Sequence, residues 1–217
     1  MSFSSQLRRN IVKRGPDIRR AVLLVLAAGV PAFFFRGVVD PFGIPKLALL
    51  AVGISVVVAL RGMEILQGST RAGLDRMLIP AAALTLPLVV SWGLSPYRSW
   101  ALLGAHGRLQ GLLPYLFVIV FGILVADAFR GRAGQLAMAM SWAGAIVGGY
   151  AAMQTVGLDP FEWSLFGSPT EAVSTTGNPN FTGGFLGIAM PVAMALVIHD
   201  RGRRRVAVRL LAFIALG

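Results

Sequence analysis

The stretch Ile44-Pro-Lys-Leu-Ala-Leu-Leu-Ala-Val-Gly-Ile-Ser-Val-Val-Val-Ala-Leu60 decides the fold. Past Lys46 it carries no charge, and Ser55 is its one polar side chain beyond that point. As a helix rising 1.5 Å per residue it covers roughly 25 Å, close to the roughly 30 Å of hydrocarbon in a bilayer. Five more stretches read the same way, at Ile18–Phe35, Met77–Leu94, Leu112–Phe129, Gln135–Val156 and Phe181–Ile198. A seventh opens at Val206 and reaches Gly217 still apolar, too short to cross. The expectation is an all-α, polytopic transmembrane helix bundle with six complete spans and a truncated seventh. Residues 1–17 form a basic cytoplasmic N-terminus and 18–217 the transmembrane domain. On this reading the chain is the N-terminal part of a larger membrane protein, or a truncated gene product. Pro31-Ala32 runs directly into Phe33-Phe34-Phe35 without a small-residue cleavage site, so the first apolar stretch reads as a retained helix and not a signal peptide.

Composition agrees. Of 217 residues, 56% are apolar and 13% charged, about half the charged share of a soluble domain. There is no Cys, which excludes disulfides, thiolate metal sites and cysteine nucleophiles. The net charge of +11 raises the question of nucleic acid, but the placement of the charges answers it. Sixteen of the 20 Lys and Arg fall at the N-terminus and in alternate connections, including the Arg201–Arg205 cluster between two apolar stretches. Cytoplasmic loops collect such residues, so the N-terminus is expected in the cytoplasm of a cell inner membrane, with no nucleic-acid partner.

The four remaining cations, Arg36, Lys46, Arg98 and Arg108, lie on the outer side of this threading. Arg36 and Lys46 flank the turn Asp40-Pro-Phe-Gly-Ile-Pro-Lys46; they can snorkel to the interface while Asp40 starts the turn, or pair with Asp40. Arg98 and Arg108 lie in the loop Ser95–Gly111, where Trp100–Leu103 is too short to span and lies along the surface or re-enters. Arg108 serves as an interfacial anchor or, through its planar fork of donors, as a phosphate grip. His106 reads as a solvated loop residue. In the loop Gly157–Asn180, Asp159 and Glu162 come together as a carboxylate pair only if Pro160 opens a helical turn. Asn178-Pro-Asn-Phe181 opens the next helix: Pro179 drives Asn178 out of helical geometry, and Asn180 is placed to cap the helix starting at Phe181. Gly183, Gly184 and Gly187 then give that helix a smooth face for another helix or a lipid chain. No cluster has metal-ligand spacing.

Three of these segments together resemble a known family. Ser174-Thr-Thr-Gly-Asn-Pro-Asn-Phe-Thr-Gly-Gly-Phe-Leu186 is similar to the Gly-Asn-Pro-Asn-Phe segment of the O-antigen ligase and polymerase superfamily. Asp40-Pro-Phe-Gly-Ile-Pro-Lys46 resembles its first outer turn, and Arg108-Leu-Gln-Gly111 with Leu-Leu-Pro-Tyr115 its entry to helix four. The resemblance covers about residues 20–200. It implies a GT-C-like membrane glycosyltransferase that moves a glycan from a polyprenyl-diphosphate carrier to an acceptor hydroxyl of a lipid, glycan or protein on the outer face, without metal or cofactor. The family's catalytic histidine and main arginines lie in a later outer loop, so the catalytic residues are expected beyond this chain and the chain alone is expected to be inactive. Diphosphate binding falls to Arg108 and Lys46, then Arg98 and Arg36, with Asn178 and Asn180 at the edge of the site. The other classes the residues allow are a polysaccharide or lipid transporter and a non-catalytic membrane assembly module.

Overall fold

The protein was analysed as a computed structural model describing residues 3–66, 75–104, 109–161, 163 and 172–199. Among these the chain is all helical: α1 (Phe3–Ala32), α2 (Gly43–Leu66), α3 (Asp75–Leu94), a short α4 (Arg98–Leu103), α5 (Leu112–Ala128), α6 (Ala133–Thr155) and α7 (Pro179–His199), with one 3-10 turn at Ser174–Thr176. Each of the six expected spans overlaps a helix, the first only as far as Ala32, since Phe33–Phe35 lie beyond α1. Four of them, α2, α3, α6 and α7, are long and apolar enough to cross a membrane, while α5 is a shorter apolar helix. This is a membrane-embedded architecture by length and composition. In α1 the helix begins at Phe3, without interruption between residues 17 and 18, so the basic N-terminus and the first apolar stretch are one helix. The expected seventh helix from Val206 and the Arg201–Arg205 cluster lie outside the described residues.

Local chemistry sets the helix ends. Asp40 opens α2: its Oδ1 accepts the amides of Phe42 (3.0 Å) and Gly43 (2.9 Å), so it starts the turn as expected. At the end of α6, Gly157 takes left-handed geometry (φ 75), and the amides of Gly157 and Leu158 close on the carbonyls of Gln154 (3.1 Å) and Met153 (2.9 Å), a Schellman stop. Helices α3 and α7 keep Pro80, Pro87 and Pro191 in their interiors, a pattern membrane helices tolerate.

The chain divides into two compact units. The first holds residues 1–26 and 47–131. In it α3 packs on α5, with α4 against both, and α1 meets α2 where Gly53 lies under Leu26; a Cβ at Gly53 would overlap that side chain. Its least expected feature is a buried tetrad of charges. Arg19 Nη1 bonds Asp127 Oδ2 at 2.5 Å, Arg61 Nη1 bonds Glu64 Oε2 at 3.1 Å, Arg61 Nε lies 3.3 Å from Asp127, and Arg19 Nε lies 3.7 Å from Glu64. All four side chains are more than nine-tenths buried. Two guanidinium and two carboxylate groups cancel, which is how charges persist in an apolar interior.

The second unit holds residues 27–46 and 132–217. Helices α6 and α7 pack on each other, and both bury small residues, Ala143, Gly144 and Gly148 on α6 and Ala189 and Ala193 on α7, of the kind that lets helices approach closely. The 3-10 turn rests on both helices. Gly183, Gly184 and Gly187 are not part of that contact; a Cβ there would meet nothing within 4 Å among the described residues.

Candidate functional site

The site lies in the second unit, where the turn at Ser174–Thr176 is held from several directions. Ser174 takes left-handed backbone geometry (φ 49) although it is not glycine. Such strain persists where surroundings over-determine it. Here the Ser174 amide donates to Gln154 Oε1 (2.7 Å) and its hydroxyl to the Val147 carbonyl (2.6 Å), both on α6. The Thr175 hydroxyl donates to the Pro31 carbonyl near the end of α1 (2.9 Å). The Thr176 and Thr182 hydroxyls lie 2.6 Å apart. Gly177 is left-handed as well (φ 76), and the Phe42 ring occupies the space a Cβ would fill.

Lys46 reaches this turn. Its ammonium donates to the Thr175 carbonyl and lies 5.8 Å from the centre of the Phe42 ring. It is therefore tied to the Ser174–Thr176 turn. Arg36 is exposed, with its guanidinium over the rings of Phe161 (5.1 Å) and Trp163 (5.4 Å), a cation–π arrangement. The Asp40 carboxylate acts on Lys46 through its charge, opposing the effect of burial on that ammonium.

The helix opening differs from expectation by two residues. Asn178, not Asn180, caps α7: its Oδ1 accepts the Asn180 amide (2.8 Å) and its carbonyl the Thr182 amide (3.0 Å). Pro179 explains the shift, because its fixed φ and missing N–H suit the first helical position. Asn180 is an exposed residue of the first turn.

Asp159 is a structural carboxylate. Residues 158–161 form a turn and not the helix that pairing with Glu162 requires. Its oxygens accept from Tyr150 Oη (2.9 Å), Gln154 Nε2 (2.7 Å), Trp163 Nε1 (3.0 Å) and the Phe161 amide (3.0 Å). Around it Phe34 stacks on Tyr150 (5.9 Å between centres, 3° between planes), and Phe42, Phe161 and Trp163 complete an aromatic cluster. Burial alone would raise the Asp159 carboxyl, but the hydrogen bonds from Phe161, Gln154, Tyr150 and Trp163 outweigh it and hold its pKa below the ordinary value. A depressed carboxylate stabilises the fold above its unfolded pKa. That contribution is expected to persist from neutral pH down to the usual carboxylate range and to vanish as pH falls through the lowered value. Asp159→Ala, which strands three side-chain donors, is expected to cost about 1–3 kcal/mol, read as a lower melting temperature in detergent at neutral pH.

The remaining expected residues lie elsewhere. Arg98 belongs to the first unit; it is exposed at the start of α4, and its carbonyl accepts Trp92 Nε1 (3.0 Å). Arg108, with His106, Glu162 and Glu171, lies outside the described residues. The loop carrying Arg108 is pinched at its base, where Gly111 donates to the Leu103 carbonyl (3.2 Å) and Gly104 and Gly111 touch backbone to backbone. Among the described residues no group of acidic or His side chains is arranged to hold a metal.

Sequence reasoning missed Thr175 and Gln154, which fasten the Ser174–Thr176 turn to α1 and α6, and it missed the tetrad. A signal for the tetrad was present: Asp127 is an acid near the end of an apolar run, and such residues pair when buried. No family model matches the chain, and no curated protein or solved structure matches it either.

Lys46 supplies a positive charge, and the N-terminal end of α7 adds the positive pole of a helix dipole beside the same turn.

Proposed function

We propose that this chain is part of an O-antigen ligase-like membrane glycosyltransferase, GT-C-like in architecture, that transfers a glycan from a polyprenyl-diphosphate carrier to an acceptor hydroxyl on the outer membrane face. One observation carries the reading. Two of the three family-like segments, 129 residues apart at Lys46 and Thr175, dock on each other. Lys46 holds the Thr175 carbonyl, and the Phe42 ring fills the space beside Gly177. A diphosphate leaving group needs positive charge, and without a metal Lys and Arg supply it. Lys46 and Arg36 serve in the second unit, Arg108 and Arg98 in the first, with Asn178 shaping the edge of the site by capping α7. Acceptor lipids, glycans or proteins are the second substrate; a polysaccharide polymerase uses the same donor chemistry.

Alternate threading in an inner membrane, with the N-terminus cytoplasmic and six spans, is part of the proposal. It receives support from which helix ends meet. The first unit gathers Arg19 of α1 with the C-terminal turns of α2 and α5, all assigned to the inner side. The second gathers the end of α1, the start of α2, the end of α6 and the start of α7, all assigned to the outer side.

The test is donor turnover by the full-length protein in membranes. Lys46→Ala and Arg108→Ala, at equal expression, are each expected to lower turnover by about a hundredfold or more, the usual loss of one charge-stabilising donor. Unchanged turnover removes that residue from the mechanism. Single cysteines at positions 108 and 203 check the threading: an impermeant thiol reagent added outside cells should label 108 and spare 203, and the reverse pattern inverts the assignment.

A further inference from the structure

Gln154 lies in the last turn of α6 and is buried. Just beyond it, left-handed Gly157 turns the chain, and Asp159 comes back to meet Tyr150 and Gln154. A side-chain amide donates from one side and accepts at the other, an ionised carboxylate only accepts, and a backbone amide only donates. Gln154 has one partner of each kind. Its Nε2 donates to Asp159 Oδ2 (2.7 Å), and its Oε1 accepts from the Ser174 amide (2.7 Å). The Gln154 amide therefore has a single orientation, and the carboxylate sets it. Turned over, it would put donor against donor at Ser174 and oxygen against oxygen at Asp159, a mismatch that is costly in a buried network.

The Ser174 end of this bridge is the strained one. Serine at φ 49 relaxes to ordinary backbone unless it is held. Gln154 holds its amide, and the Val147 carbonyl holds its hydroxyl (2.6 Å). The next residue is Thr175. Its hydroxyl is fixed on the Pro31 carbonyl (2.9 Å), and its own carbonyl receives the Lys46 ammonium. We propose that Gln154 is a positioning residue for Lys46: oriented by Asp159, it keeps Ser174 in left-handed geometry and so keeps the Thr175 carbonyl where it holds the Lys46 ammonium. All of these residues belong to the second unit. Gln154 acts through Ser174 and Thr175, so its loss moves the charge of Lys46 without removing it. Any effect on glycan transfer rests on the glycosyltransferase reading, whereas the placement of Lys46 does not.

The sequence has two lysines, Lys13 and Lys46, so amine labelling followed by peptide mass spectrometry reads Lys46 by itself. The full-length protein in nanodiscs is treated with a water-soluble acetylating ester, well below its melting temperature. Gln154→Met keeps the length of the side chain and removes both bonds. It is expected to raise the labelling rate of Lys46 about tenfold, the scale of one buried hydrogen bond lost. Gln154→Asn keeps an amide but is one methylene too short to reach both partners. It should act in the same direction, and it serves if the methionine variant does not fold. Ser174→Gly enters the left-handed region without strain, so adding it to either variant should bring the rate back toward that of the parent. Labelling at the parental rate in the Gln154 variants overturns the proposal. Faster labelling that Ser174→Gly leaves unchanged also overturns it, because it marks a general loosening and not a released turn. Donor turnover separates this proposal from the reading it deepens: Gln154→Met should lower turnover about tenfold by misplacing a charge that is still present. Faster labelling in a protein whose parent shows no turnover supports the positioning of Lys46 and removes the glycosyltransferase reading.

Discussion

Asp127→Ala is expected to destabilise the folded protein by about 3–5 kcal/mol, among the largest effects available to any single substitution in the chain. Asp127 Oδ2 is shared by Arg19 at 2.5 Å and Arg61 at 3.3 Å, and all three side chains are more than nine-tenths buried. Removing the carboxylate leaves two guanidinium groups facing one carboxylate, Glu64, in a setting that cannot hydrate the excess charge. The cost is that of the stranded cation, not the net worth of the pairs. Replacing the whole tetrad tests this distinction. Arg19→Met, Arg61→Met, Glu64→Met and Asp127→Leu together should be far milder than Asp127→Ala, because no uncompensated charge remains. Unfolding in detergent micelles, followed by near-ultraviolet circular dichroism, measures both. A quadruple variant less stable than Asp127→Ala would contradict the charge-balance account.

Gly177→Ala is expected to cost about 2–5 kcal/mol from two sources. The left-handed backbone at Gly177 (φ 76) penalises any side chain by about 1–2 kcal/mol. The new Cβ also meets the buried Phe42 ring, and overpacking of this kind costs about 1–3 kcal/mol. The second term is separable. In a Phe42→Leu background the ring is gone, so Gly177→Ala should there cost only the backbone penalty. Melting temperatures of the two single variants and the double variant give the coupling. Strict additivity would mean that Phe42 and Gly177 do not press on each other. Because this contact joins the Asp40–Lys46 turn to the Ser174–Phe181 segment, the proposed function predicts that Gly177→Ala, like Lys46→Ala, lowers donor turnover.

Much of the fold could be read from apolar runs. Ile44–Leu60 and Met77–Leu94 lie within or coincide with helices because an uninterrupted apolar segment in lipid has one economical way to satisfy its backbone, hydrogen bonds within itself. Helix ends were less legible. The Asn178 cap depends on which residue Pro179 accepts as its neighbour in the first turn, and either of two asparagines offered the same side chain. For the site, the cations Arg36 and Lys46 were readable because they flank a short turn between two apolar stretches while most Lys and Arg cluster elsewhere in the chain. Their settings were not readable: composition cannot show that Lys46 ends on a carbonyl 129 residues away or that Arg36 lies on Phe161 and Trp163.

By itself the sequence determined the helical, membrane-embedded character of this protein and the uneven spread of its charges along the chain, since hydropathy and charge act residue by residue over short windows. Tertiary structure alone decided which charges are paired. Arg19 and Arg61 look like loop cations until α1, α2 and α5 bring Glu64 and Asp127 against them, and Asp159 looks like a candidate acid until four donors close around it. The partner of a charge is set by contacts between distant helices, and in an apolar interior that partner determines whether the charge is available for chemistry.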